Sequence, residues 1–203
     1  GYTNFNRYFY AQVNKSAAII DERFNGGGML ATDIVETLAR KPLSRVATRD
    51  GEDEVQPQGA IFGPKVMIIN EFAGSGGDAM PFYFRRAGVG PLVGKRTWGG
   101  LVGRAGAPAL MDGGFVSSPS SAVWDPSQSK WIAENVGIEP DIQVEQDPEA
   151  VRQGKDPQLE KAVEIVMAEL AKAPNTAPKR PAFPNYQKPG GPPTGNTPNA
   201  VRK

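Results

Sequence analysis

The chain has 203 residues, 39% of them hydrophobic, enough for one sizeable core, and no apolar run approaches the roughly 20 residues of a membrane span. It contains neither cysteine nor histidine, which excludes disulfides and thiol chemistry and leaves no zinc or transition-metal site to expect. The net charge of +1 hides five basic residues and no acidic one in 173–203, so the body carries 18 basic against 22 acidic residues, a mildly acidic balance unsuited to nucleic-acid binding.

The opening residues GYTNFNRYFY lack the basic and apolar regions of a signal peptide, and the chain begins without a methionine. A processed or partial piece of a longer protein is expected. Thr3 to Val13 reads as an amphipathic helix, with Phe5, Tyr8, Phe9 and Val13 on one stripe and Thr3 or Asn4 as its cap. The apolar, β-rich run Ala17 to Asp21 predicts a strand, and Met29 to Leu38 a helix that stops near Pro42. Between them lies Gly26-Gly27-Gly28, where backbone can approach a ligand without a Cβ in the way and N–H groups form an anion-binding nest. The stretch has neither a Walker lysine nor dinucleotide-binding spacing. Residues 43–64 read as a loop with a solvated acidic cluster, Asp50, Glu52, Asp53 and Glu54.

Lys65 to Asn70 predicts a second strand, and Asp78 to Ala87 the helix after it, with Pro81 tolerated in its first turn. The turn between them, Ala73-Gly74-Ser75-Gly76-Gly77-Asp78, presents one hydroxyl at the positive end of the following helix. A serine there stands clear of neighbouring side chains and lies beside N–H groups able to hold an oxyanion, which is what a serine nucleophile needs. The alternative is an N-cap serine in a Gly-rich loop. Asp78 reads as charge compensation at the helix start.

Farther on, Pro91 to Val93 is a short strand and Lys95 to Gly103 a Gly-rich loop. Ala109–Asp112 and Gly114–Ser118 read as a hairpin closing at Asp112-Gly113-Gly114. Ile142 to Val144 is a further strand, and Asp156-Pro157 announces a helix over Leu159–Leu170. Residues 173–203, with eight of the nineteen prolines, are expected to be a disordered or polyproline-type tail. Strand–helix alternation makes the body α/β with a largely parallel sheet, and both glycine turns follow strand C-termini, where such sheets bind ligands.

The ordered set of strand-NGGG-helix, strand-AGSGGDA-helix, GKRTWGG, ENVGIEPD and GKDPQLEKA resembles the catalytic domain of tricorn-type and tail-specific (C-terminal processing) serine peptidases, over residues 1–170. The resemblance implies a crotonase-like or Clp-protease-like superhelical α/β domain over residues 1–172, truncated at its N-terminus, followed by the tail. It implies Ser75 as nucleophile, Gly28 and Gly76 as oxyanion-hole donors, and Glu134 as the glutamate that orients the base. Read from the residues alone, Glu134 is a turn carboxylate with Glu139 and Asp141 as equals. The family's base is a histidine upstream of the matched region, so the chain alone is expected to be inactive or nearly so. The aspartate that matches a basic P1 side chain in tricorn-type peptidases falls near Val46, so a Lys or Arg preference is not expected.

The same resemblance implies a peptide or unfolded-polypeptide substrate, no cofactor, no nucleic-acid or membrane partner, a homo-oligomer (trimer or hexamer) and a cytoplasmic location, with export open. Two other readings stand beside it. One is a crotonase-type acyl-CoA enzyme, which uses paired N–H groups without a serine; the other is a non-catalytic peptide-binding or assembly module.

Overall fold

The computed structural model describes residues 1–106, 108–172 and 178–182. In chain order the elements are α1 (Tyr2–Tyr10), β1 (Ala18–Asp21), α2 (Ala31–Leu38), β2 (Ser44–Val46), β3 (Glu54–Gln56), β4 (Lys65–Ile69) and α3 (Gly76–Arg86). They are followed by β5 (Leu92–Gly94), β6 (Gly103–Gly106), β7 (Ser117–Ser121), β8 (Trp124–Asp125), β9 (Lys130–Trp131), β10 (Ile142–Gln143), α4 (Pro148–Arg152) and α5 (Pro157–Lys172).

The central sheet has the order β1-β4-β5-β10, and every pair in it is parallel. β4 is buried at all five positions, as a central parallel strand covered on both faces requires. Its side chains divide by parity. Met67 and Ile69 join Phe9, Val35, Leu38, Met80, Phe84 and Leu92 in the core beneath α1, α2 and α3. Val66 and Ile68 join Val93, Ala162 and Val166 in a second core beneath α5. The result is the expected α/β layering, helices on both faces of a parallel sheet.

Local chemistry explains the differences from the sequence reading. α1 stops at Tyr10 rather than Val13 because Gln12 turns back on the helix end. Its Nε2 donates to the Tyr8 carbonyl at 3.0 Å, and its backbone N–H to Phe9 at 2.9 Å. The N-cap is Gly1, with no side-chain cap from Thr3 or Asn4. α3 starts two residues early, because the N–H groups of Asp78 and Ala79 already donate to the Ser75 carbonyl (2.9 and 3.0 Å). Residues 43–64 are not a plain loop: β2 and β3 pair antiparallel there, and the acidic cluster occupies their tip. These three-residue strands lack the apolar alternation that would announce them.

The predicted hairpin exists, and its turn closes where expected, with the Leu110 N–H donating to the Gly114 carbonyl at 2.8 Å. Its strands lie farther out, however, Gly103–Gly106 against Ser117–Ser121. Those strands, Gly-Arg-Ala-Gly and Ser-Ser-Pro-Ser-Ser, hold no β-branched or aromatic residue, so composition could not place them. The β8–β9 hairpin and α4 are further elements that the sequence reading did not include. α5 begins where Asp156-Pro157 announced it, with Asp156 Oδ1 accepting from the Leu159 N–H at 3.0 Å. The Arg23 guanidinium clamps Asp21 at the end of β1 (2.7 Å) and Asp156 at the head of α5 (2.8 Å).

Of the tail, residues 178–182 are described and form neither helix nor strand, and Arg180 pairs with Asp53 of the β2–β3 tip. The remainder of 173–203 lies outside the described residues, so the tail expectation concerns residues beyond them. Among the described residues no helix is long and apolar enough to cross a membrane, and no group of acidic residues could hold a metal.

Candidate active site

Both glycine turns leave the C-terminal edge of the sheet, one after β1 and the other after β4. The two strands are parallel neighbours, so the turns meet. Their approach is closer than any side chain would allow. A Cβ on Gly76 would lie 2.8 Å from the Gly28 nitrogen, and one on Gly27 would lie 2.6 Å from Ser75 Cβ and 3.0 Å from Ser75 Oγ. Glycine at 27 and 28 also supplies backbone that other residues rarely adopt, with φ of +109° and +129°.

Ser75 is the N-cap of α3 at φ 57° and ψ −116°, far from the extended conformation of an ordinary cap. A side-chain-bearing residue at positive φ is strained, and strain of this kind concentrates at functional sites. The residue is exposed between buried neighbours, Ala73 and Gly74 before it and Gly76 to Met80 after it. Its conformation is held from three sides. The Gly74 N–H donates to the Asn25 carbonyl (3.0 Å), and the Ser75 N–H donates to the Gly100 carbonyl (3.0 Å) and to Asp78 Oδ2 (2.9 Å).

Asn25 ties the corners together. Its Oδ1 accepts from the Gly27 N–H (2.9 Å), its carbonyl accepts from Gly74, and its Nδ2 donates to Glu22 Oε1 (2.8 Å). Among the described residues, the N–H groups of Gly28 and Gly76 have no acceptor. The Gly27 N–H is engaged by Asn25 Oδ1, whereas the Gly28 nitrogen lies against Gly76 of the serine corner. A cleft of about 130 Å³ opens there, lined by Gly27, Gly28, Leu30, Ala31, Ile34 and Met80.

Asp78 is more than charge compensation at a helix start. It is fully buried, and its carboxylate accepts from Thr97 Oγ1 (2.5 Å), Gly99 N–H (2.8 Å), Gly100 N–H (3.0 Å) and Ser75 N–H. It therefore welds the 97–100 loop to the serine corner. Glu134 reaches the next part of that loop, where its Oε2 accepts from the Leu101 and Val102 N–H groups at 2.7 Å each. The turn carrying it is tight, with Ala133 and Asn135 both at positive φ, and the Asn135 N–H donates to the Gly99 carbonyl (2.8 Å). Ser75 and Glu134 are thus linked through one short loop: Gly100 bonds the first, and Leu101 and Val102 bond the second. The two rivals go elsewhere. Asp141 accepts from the Leu92 N–H (2.7 Å) and pairs with Arg85, while Glu139 is exposed at the Arg96 side chain.

The sequence reading missed Asn25 and Glu22 as organisers of the first corner. Nothing in their spacing marks them beyond the position of Asn25 just before three glycines.

Comparison with known proteins places the chain in a family of peptidases. Residues 3–144 match the model of peptidase family S41. The tricorn protease of Thermoplasma volcanium is 39% identical over 180 residues, covering 89% of this chain and 17% of that protein. Tricorn protease homolog 1 of Streptomyces coelicolor is 35% identical over 178 residues, covering 88% of this chain and 17% of that one. The crystal structure of the tricorn protease superposes with a TM-score of 0.74 at 35% identity, over 85% of this chain and 17% of its own. A putative peptidase from Parabacteroides merdae shares the fold, with a TM-score of 0.64 at 20% identity, over 86% of this chain and 59% of its own. The chain thus spans about one sixth of the length of the curated relatives it matches.

Proposed function

The chain belongs to peptidase family S41, and from that premise we propose that it carries the nucleophile half of a serine peptidase site, with Ser75 as the attacking group. The observation that supports this most is the meeting of the two glycine corners, which sets the strained, exposed serine beside two N–H groups without acceptors among the described residues. Ser75 Oγ attacks the scissile carbonyl of a peptide or unfolded polypeptide. The N–H groups of Gly28 and Gly76 receive the developing oxyanion, an effect worth about 3–4 kcal/mol per donor. The 203 residues contain no histidine, so the proton of Ser75 passes to a base brought by a segment outside this chain. Glu134, held by two amides, orients that base and stabilises its cationic form.

In the longer protein that supplies the base, Ser75→Ala is expected to abolish covalent labelling by a fluorophosphonate and to leave only trace peptide hydrolysis. Labelling that survives the substitution would remove Ser75 from this role. The isolated chain is expected to react at a small fraction of the longer protein's rate.

A further inference from the structure

The loops that leave β1, β4 and β5 each carry an exposed aromatic residue, and one of these rings rests on the serine corner itself. The Trp98 N–H donates to the Ala73 carbonyl at 2.8 Å. This brings the indole against Gly74 and Gly100: a Cβ on Gly74 would fall 2.6 Å from Trp98 Cε3, and one on Gly100 would collide with the same ring. Gly74 precedes the serine, and Gly100 accepts its N–H. The indole thus covers the two glycines that bracket the nucleophile, yet Trp98 remains 67% exposed.

Phe24 and Phe72 stack on the adjoining loops, with centroids 5.2 Å apart and planes within 10°, at 68% and 63% exposure. A buried side chain is dedicated to holding them. Asn70 Oδ1 accepts from the N–H groups of both Phe24 (3.0 Å) and Phe72 (3.3 Å). Phe24 is also kept at φ 62°, a conformation that costs a bulky residue on the order of 1 kcal/mol or more. Water-facing apolar rings, held by a buried amide and by backbone strain at the mouth of a site, suit a ligand that covers them.

We propose that Trp98, together with the Phe24–Phe72 stack, forms an apolar subsite for a large aliphatic or aromatic side chain of the peptide substrate. The proposal rests on the peptidase reading of Ser75. Trp98 does not line the Met80 cleft, so the side chain it takes belongs to a different substrate position from the one occupying that cleft. The charges on these loops favour an apolar ligand over a cationic one. Asp78 is buried under four donors, Glu134 receives two backbone amides, and Glu71 pairs with Lys95 at 3.7 Å. Lys95, which also pairs with Glu145 at 2.9 Å, already places a cation beside Glu71, and the one open carboxylate oxygen, Glu134 Oε1, is assigned to the base rather than to the rings.

The test uses the longer parent protein and peptides varied one position at a time among Leu, Phe, Ala and Lys, read as ratios of kcat/KM so that a general loss of activity cancels. The parent is expected to prefer Leu or Phe over Ala at one position other than that of the Met80 cleft. Trp98→Ala is expected to reduce that preference about tenfold, mainly through KM, and Trp98→Phe to restore most of it. A preference unchanged in Trp98→Ala, or a Lys preference that the substitution removes, overturns the subsite. Where Trp98→Ala is too unstable to turn over, Phe72→Ser carries the same ratio and leaves the packing on Gly74 and Gly100 untouched. An unchanged ratio there also overturns the proposal. A parent that no fluorophosphonate labels at Ser75 overturns the peptidase reading and the subsite with it, whereas a labelled parent with no apolar preference overturns the subsite alone.

Discussion

The head of α3 and the turn around Glu134 each give a carboxylate to the same loop, Thr97 to Val102, and the two carboxylates are used differently. Asp78 is fully buried and spends both oxygens on four donors, three of them backbone amides. Glu134 is partly exposed and places both of its amide bonds on Oε2, while Oε1 has no partner among the described residues. A carboxylate whose lone pairs are all taken holds structure together. One with an oxygen still open can also face a base or a bridging group, and this distinguishes the two better than burial or position in sequence does.

Replacing Asp78 tests the first half of the contrast and should have the largest effect. Asp78→Ala leaves Thr97 Oγ1 and the Gly99 and Gly100 N–H groups without their acceptor, while the Ser75 N–H keeps the Gly100 carbonyl, and each orphaned group costs about 1–3 kcal/mol before relaxation. A total loss of about 3–5 kcal/mol is expected in urea unfolding, with the serine corner no longer ordered. A loss below about 1 kcal/mol would mean that the loop is held by other contacts.

Glu134→Gln tests the second half. A glutamine oxygen can still accept from Leu101 and Val102, so the fold should keep its stability to within about 1 kcal/mol. The charge that stabilises a protonated base is gone, however, and the fluorophosphonate reaction of the longer protein should slow about a hundredfold or more, roughly 3 kcal/mol of barrier. Equal damage to stability and rate would make Glu134 a second Asp78.

The contrast also shows what a one-dimensional reading can carry. The strand–turn–helix units around Gly28 and Ser75 were legible because apolar runs, glycine punctuation and helix periodicity agree at each of them. Glu134 was distinguishable from Glu139 and Asp141 only by its motif, because nothing local separates three carboxylates in one turn-rich stretch. Asp78 was read as a helix-start charge, since its partners Thr97, Gly99 and Gly100 lie some twenty residues away and meet it only once β4 and β5 pair. The short hairpins failed for a related reason. Ser44–Val46, Gly103–Gly106 and Ser117–Ser121 are fixed by the ladder they join rather than by their own side chains.

A third carboxylate sharpens the comparison and should give the smallest effect. Glu22 is 3% exposed, as deeply set as Asp78, but it has a single donor, Asn25 Nδ2. Burial disfavours its ionised form. The Asn25 hydrogen bond offsets this only in part, and the adjacent Asp21 charge adds to it, so the carboxyl is pushed up to about 8. A group whose pKa is higher folded than unfolded binds more protons in the native state, so it favours folding below about 4.5, and that contribution is lost as pH rises toward 8. Between pH 6 and 8 this one residue should lower stability by about 1–2 kcal/mol, measured as the shift in urea midpoint. Glu22→Gln keeps an acceptor for Asn25 and removes the ionisation, so its midpoint should be flatter across that range and higher than the parent's at pH 8. Parallel profiles for the two proteins would mean that Glu22 gains donors or solvent that a single bond to Asn25 does not provide, and the ordering of carboxylates by their hydrogen-bond partners would then fail.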